Sequence, residues 1–245
     1  LTVISFHSLF AGTVFGFLGS AALVLTVTLP SPRPSAARGI YERTTRGLRI
    51  YLATPRLRGL LALNLAIAAA SAMVIVNTVV IVQGTLSLPQ SAVALALASF
   101  GGGSMVAALL LPNLLDRISD RTAMLSGAAI LLLGLLAGPL TSTLPLLLPL
   151  WFVLGIGYSL TQTPSGRLLR RSAHAADRPA VFAAQFALSH LCWLVTYPVA
   201  GWAGKVLGLG PTFILLAAGA ALAIWVALRV WPVDDPQVLE HFHED

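Results

Sequence analysis

The charged residues of this 245-residue chain lie in clusters, and the long stretches between the clusters carry no charge. These uncharged stretches cover residues 1–32, 59–115, 122–166, 179–204 and 206–228. A helix needs about 20 apolar residues to cross a bilayer. The lipid core offers no hydrogen bonds to the backbone, and a helix satisfies its backbone N–H and C=O groups internally. Two stretches are long enough for two helices each, with breaks near residues 84–90 and 138–149. The sequence therefore predicts an all-α integral membrane protein with seven transmembrane helices.

The distribution of basic residues predicts the orientation of these helices. Only 10% of the residues are charged, whereas soluble domains carry about 25%. Of the 15 basic residues, all except Lys205 fall in segments that alternating helices place on one side of the membrane. The positive-inside rule makes that side, and the C terminus, cytoplasmic. The net charge of +6 could also suggest nucleic acid, but no basic run is interleaved with exposed aromatic residues. We expect a lipid bilayer, and no nucleic acid, as partner.

The same pattern predicts four parts of the chain. Residues 1–29 form a transmembrane helix, and residues 30–56 form a basic cytoplasmic linker with an amphipathic helix. In that helix Ile40, Leu48, Tyr51 and Leu52 share a side that we expect to lie on the anionic leaflet. Residues 57–232 form six further transmembrane helices, and residues 233–245 form an acidic cytoplasmic tail. Because the chain begins at Leu1 and not at a methionine, we expect a fragment of a longer protein.

Polar side chains interrupt the apolar stretch at residues 181–204. At about 100° per residue, Gln185 and Ser189 share one face of a helix, and His190, Trp193 and Tyr197 share the adjoining face. Polar groups at membrane depth usually face the bundle interior or a wet cavity. We interpret this arc as the lining of a pathway, although hydrogen bonding between neighbouring helices is the alternative. Together with stripes in two other helices, the predicted pathway residues are Asn64, Ser71, Tyr158, Gln162, Gln185, Ser189, His190, Trp193 and Tyr197.

Patterns for catalysis or metal binding are weak in this sequence. Ser189 and His190 are adjacent, but they point about 100° apart on a helix and do not form a nucleophile and base pair. We expect no enzymatic activity, no cofactor and no metal site among the helices. His241 and His243 in the tail could begin a metal-binding tract. His190 is the residue within the predicted helices best suited to carry a proton, because histidine changes its charge near neutral pH.

The predicted order of one helix, a basic loop, six helices and a cytoplasmic C terminus resembles the second half of a major facilitator superfamily transporter. The sixth helix and the central loop of such a transporter would precede that half. Residues 113–121 are also similar to the family signature Gly-x-Leu-x-Asp-Arg-x-Gly-Arg-Arg, and the matching positions are Leu114, Asp116, Arg117 and Arg121. Pro112, Ser119 and Asp120 depart from the signature. The resemblance implies a six-helix bundle at residues 57–232 and an N-terminal six-helix half that is missing here. It also implies a cytoplasmic gate formed by Asp116, Arg117 and Arg121, with contacts to the loop at residues 167–178.

The resemblance also implies a function. Members of the family are secondary transporters that work by alternating access, in which two halves rock about a central site. Residues 172–202 are similar to the eleventh helix of bacterial exporters of the family, which implies export across a bacterial inner membrane. The uncharged and aromatic lining fits a small amphiphilic solute, with proton coupling through His190 or through carboxylates in the missing half. Two alternatives remain, a nickel or cobalt efflux permease, because some relatives carry His-rich tails, and a seven-helix receptor.

Overall fold

The computed structural model describes residues 6–27 and 40–233, and these residues are mostly helical. The chain divides into two units, residues 1–38 and residues 39–245. The first unit contains α1 (Phe6–Thr26). The second unit contains α2 (Ile40–Ala53), α3 (Pro55–Val79), α4 (Gln90–Leu115), α5 (Asp120–Ala137), α6 (Leu144–Gln162), α7 (Ser165–Arg171), α8 (Arg178–Val206) and α9 (Leu209–Val230).

Within the described ranges, six helical segments are long and apolar enough to cross a membrane. They are Pro55–Thr85, Gln90–Leu115, Asp120–Leu140, Leu144–Arg171, Arg178–Val206 and Leu209–Val230. Both predicted breaks are present: a π-helical turn ends the first of these segments at Thr85, and a 3-10 turn ends the third at Leu140. The second break is shorter than the predicted 138–149, because α6 begins at Leu144 and contains Pro149. Helix α1 is apolar but shorter over Phe10–Thr26. The seventh transmembrane helix therefore stays a prediction.

Helix α3 is the centre of the second unit. In the segment Pro55–Thr85, 72% of an apolar 18-residue stretch is buried, against 22% of the corresponding stretch in α4 and 17% in α8. Helix α3 packs against α5, α6, α8 and α9, and its buried face is rich in alanine between Ala66 and Ala72. Small side chains allow close helix contacts in membranes, where lipid removes the usual hydrophobic driving force between helices. The surfaces of α4 and α8 are left largely uncovered within this unit.

Two glycines set the contact between α4 and α6. A Cβ on Gly103 would overlap the carbonyl oxygen of Phe152, and one on Gly155 would overlap the carbonyl oxygen of Phe100. The two backbones therefore touch directly, which no other residue type at these positions permits. Gly101 faces open space. Close backbone packing of α4 on α6 therefore occurs at Gly103 and not at Gly101.

Candidate functional site

Four ring side chains form a continuous row along α8, which we call the aromatic row: Phe186, His190, Trp193 and Tyr197. The Phe186 and His190 ring centroids lie 3.9 Å apart, those of His190 and Trp193 lie 5.4 Å apart, and those of Trp193 and Tyr197 lie 6.2 Å apart. Spacings of three and four residues put successive side chains on one helix face. His190, Trp193 and Tyr197 line a shallow groove of 580 Å³. The structure thus brings three of the predicted pathway residues together.

The tautomer of the neutral His190 ring follows from its hydrogen bond. Its Nδ1 lies 2.7 Å from the backbone carbonyl oxygen of Phe186. A carbonyl oxygen only accepts hydrogen bonds, so Nδ1 carries the proton. In the neutral ring Nε2 is then an acceptor, and the side chain is exposed. Ser189 donates to the same carbonyl oxygen at 3.0 Å, which leaves this hydroxyl occupied by its own helix.

Several polar residues of the predicted arc bond to protein groups. Gln185 is buried and accepts a hydrogen bond from the hydroxyl of Tyr51 in α2. Thr196, also on α8, donates to the carbonyl oxygen of Ala68 in α3 at 3.2 Å. These two side chains link helices, which is the alternative role that the polar arc leaves open.

On α3, Asn64 and Ser71 are buried, with 3% and 2% of their surfaces exposed. Asn64 donates to the carbonyl oxygen of Leu60 one turn earlier, at 3.0 Å. The hydroxyl of Ser71 has no hydrogen-bond partner among the described residues. On α6, half-buried Tyr158 packs edge to face on Phe100 of α4, with ring centroids 5.6 Å apart.

Gln162, at the end of α6, is half-buried. Neither Gln162 nor Tyr158 is among the residues that line the α8 groove. Asn64 and Ser71 do not line it either. The structure therefore gathers His190, Trp193 and Tyr197 in the α8 groove, and the predicted residues of α3 and α6 are not among those that line it.

A second cluster lies where α4, α5 and α7 meet. A pocket of 580 Å³ is lined by three apolar residues, Leu115, Ile118 and Val233, and by seven polar ones: Asp116, Arg117, Ser119, Asp120, Arg121, Arg167 and Arg171. Asp120 is 5% exposed and accepts hydrogen bonds from Arg167 Nε at 2.9 Å and Nη2 at 2.5 Å. Arg171 Nε lies 3.6 Å from the other carboxylate oxygen. Asp120 is thus the acidic residue at the centre of this cluster.

The residues of the predicted gate lie around Asp120. Asp116 and Arg117 are exposed, and Arg121 Nε donates to the backbone carbonyl oxygen of Trp231 at 3.3 Å. Sequence reasoning missed Asp120, which it treated as a departure from the signature. Its position was nevertheless informative, because Ser119 caps α5 and a carboxylate in the first turn is favoured by the helix dipole.

The described residues hold no group of three or more histidine, cysteine, aspartate or glutamate side chains suited to a metal ion. His241 and His243 lie outside the described residues.

The structure defines the class of protein, an all-α membrane protein with several spanning helices. The family sequence model of the Major Facilitator Superfamily matches residues 60–242. The chain therefore belongs to this superfamily of membrane transporters. A search of curated proteins finds no match.

Proposed function

We propose that this chain is part of a secondary transporter that exports a small amphiphilic organic solute by alternating access, with proton coupling. The observation that carries this proposal is the aromatic row on α8. Aromatic rings side by side on one helix face offer an apolar surface to an organic solute. His190 within the row adds an acceptor nitrogen, and imidazole is the side chain that proteins most often use to accept and release protons. Family membership favours a transporter over a seven-helix receptor.

A site on one half of such a transporter needs a second half to enclose it. Helices α4 and α8 have the smallest buried fractions of the six membrane-spanning segments. We assign these surfaces to contact with an N-terminal six-helix half, and we assign α1 to that half as a further transmembrane helix. The pathway would then lie between the halves, lined on this side by the aromatic row together with half-buried Tyr158, Gln162 and Ser189. Asn64, Ser71 and Gln185, which the sequence also placed in the pathway, are buried within this half and do not face the other one.

The arginine and aspartate cluster supports a gating role at the cytoplasmic end. Asp116 and Arg117 are exposed and are therefore available to a partner surface, whereas Asp120 is occupied by Arg167. We propose that Asp116, Arg117 and Arg121 contact the other half when the cytoplasmic side is closed. In this orientation the basic segments and the C terminus face the cytoplasm of a bacterial cell, and the bilayer is the inner membrane.

The test is transport by the full-length gene product in inverted membrane vesicles under an imposed pH gradient. Ethidium and doxorubicin serve as amphiphilic probes, and Ni²⁺ and Co²⁺ serve as metal probes. We expect gradient-dependent movement of an organic probe that falls at least about tenfold in His190→Ala, because groups that transfer protons typically contribute about 10²–10⁴-fold to a rate. His174→Ala is the matched control, because it removes an imidazole from the loop before α8, outside the aromatic row.

Each other outcome contradicts a stated part of the proposal. Equal losses in the two histidine variants would remove His190 from the coupling step. Movement of Ni²⁺ or Co²⁺, but of neither organic probe, would replace the amphiphilic solute by a metal ion. Movement that ignores the pH gradient would rule out proton coupling.

A further inference from the structure

The linker helix α2 is docked on the first two turns of α8. Arg46 binds Asp177 through two contacts, Nε to Oδ1 at 2.6 Å and Nη2 to Oδ2 at 2.9 Å. Tyr51 donates a hydrogen bond to Oε1 of Gln185. Arg46 and Tyr51 lie on either side of Gly47, so their contacts attach α2 to α8 at separate points.

Between these contacts the two backbones touch. A Cβ on Gly47 would overlap the backbone carbonyl oxygen of Ala180. Glycine in a helix interior costs about 0.5–1 kcal/mol relative to alanine, so its presence in α2 needs a reason. The close approach to α8 is that reason.

The Tyr51 contact is the buried part of this interface. Tyr51 is fully buried, and Gln185 is 8% exposed. Burial raises the pKa of the Tyr51 hydroxyl, so this group stays protonated and remains a donor. A buried acceptor that loses its donor carries a desolvation penalty, and the pair is therefore more than a surface contact. The sequence prediction placed Tyr51 with Leu48 and Leu52 against the leaflet, but only the two leucines are exposed.

We propose that α2 is a clamp on α8, and that Tyr51 is its positioning residue. Gln185 directly precedes Phe186, the first member of the aromatic row. A helix held at Asp177, Ala180 and Gln185 has the start of that row fixed in place. Movement of the cytoplasmic end of α8 must therefore carry α2 along or break these contacts. This inference rests on the proposed transport function where it concerns turnover, but the docking itself can be measured without any substrate.

Hydrogen exchange of the full-length protein in lipid nanodiscs tests the clamp. Gly47→Ala places a methyl group against Ala180 and releases α2, and we expect exchange to rise about tenfold in peptides covering residues 40–53 and 178–190, as for the loss of one or two hydrogen-bonded contacts. Gly166→Ala is the matched control, because a Cβ there meets open space, and we expect no change. Faster exchange in α2 with unchanged exchange in α8 would overturn the proposal.

Swapping the charges of Arg46 and Asp177 distinguishes the loss of this one contact from misfolding of the protein. Arg46→Asp and Asp177→Arg alone should each speed exchange in residues 40–53, and the double variant should restore at least half of the lost protection. Failure of the double variant to restore any protection, together with unchanged exchange in Gly47→Ala, would show that α2 is not held by these contacts.

Transport of ethidium then separates positioning from substrate binding. Tyr51→Phe keeps the ring and removes only the hydroxyl, so we expect the maximal rate to fall threefold or more while the half-saturating concentration stays within twofold. An unchanged rate alongside faster exchange in α8 would overturn the positioning role. If the wild-type protein moves no probe, the proposed function fails, and the exchange experiment alone decides the clamp.

Discussion

Asp120 accepts two hydrogen bonds from the guanidinium of Arg167, which joins the first turn of α5 to α7 across 47 residues of sequence. The carboxylate side chain is 4% exposed and the arginine side chain is 46% exposed. The pair therefore has a buried acceptor and a solvated donor. Such a contact is stronger than a fully exposed ion pair, because removing one partner leaves the other group short of a hydrogen bond.

This contact predicts different effects of two neighbouring aspartates on stability. Asp120→Ala should lower the free energy of unfolding by about 1–2 kcal/mol, a range reduced for the solvent exposure of Arg167. Asp116→Ala should change it by less than about 0.5 kcal/mol, because Asp116 is exposed and exposed substitutions rarely change stability by more. Unfolding by SDS in mixed micelles measures both. Equal losses in the two variants would show that Asp120 has no special structural role.

The contact between α4 and α6 predicts a strong dependence on the position of a methyl group. Gly103→Ala should separate the two helices and destabilise the protein by about 1–3 kcal/mol, as overpacking does in other cores. Gly101→Ala adds the same methyl group in open space and should be neutral or slightly stabilising. Thermal unfolding of the two purified variants side by side is the measurement. A stable Gly103→Ala protein would contradict the direct backbone contact.

A buried hydrogen bond joins α6 to α3. Trp151 Nε1 donates to the hydroxyl of Thr78 at 2.8 Å, and both residues are fully buried. Thr78→Val keeps the shape but removes the acceptor, and should cost about 1 kcal/mol in stability. Thr78→Ser keeps the hydroxyl and serves as the control, with a smaller loss from the missing methyl group. Tryptophan fluorescence during SDS unfolding reports both. A greater loss in the serine variant would mean that packing, and not the hydrogen bond, dominates at this site.

Labelling of the only lysine in the chain tests the proposed orientation in the membrane. Lys205 is exposed at the end of α8, on the side opposite to the basic segments. A membrane-impermeant amine reagent should modify Lys205 in intact cells, and it should fail to reach Lys205 from the cytoplasmic face in sealed inverted vesicles. Mass spectrometry of the peptide that contains Lys205 measures the yield. Preferential labelling in the inverted vesicles would reverse the proposed topology.

Much of the helical pattern could be predicted from sequence because a bilayer acts on each segment by itself. A stretch of about 20 uncharged residues must be helical to satisfy its backbone in lipid. This local rule correctly predicted that two of the uncharged stretches each hold two helices, and the structure shows the breaks between Thr85 and Gln90 and between Leu140 and Leu144. Helical spacing likewise predicted that His190, Trp193 and Tyr197 lie on one face.

The tertiary structure alone decided which helix each of these faces meets. Periodicity gives the angle between two residues of one helix, but not the rotation of that helix within the bundle. Gln185 therefore looked like a pathway residue from its own helix, although its partner, Tyr51, comes from the linker. In the same way Asp120, and not Asp116, meets Arg167. The rotation depends on close contacts between residues far apart in sequence, such as Gly47 with Ala180 and Gly103 with Phe152, and no local pattern records them.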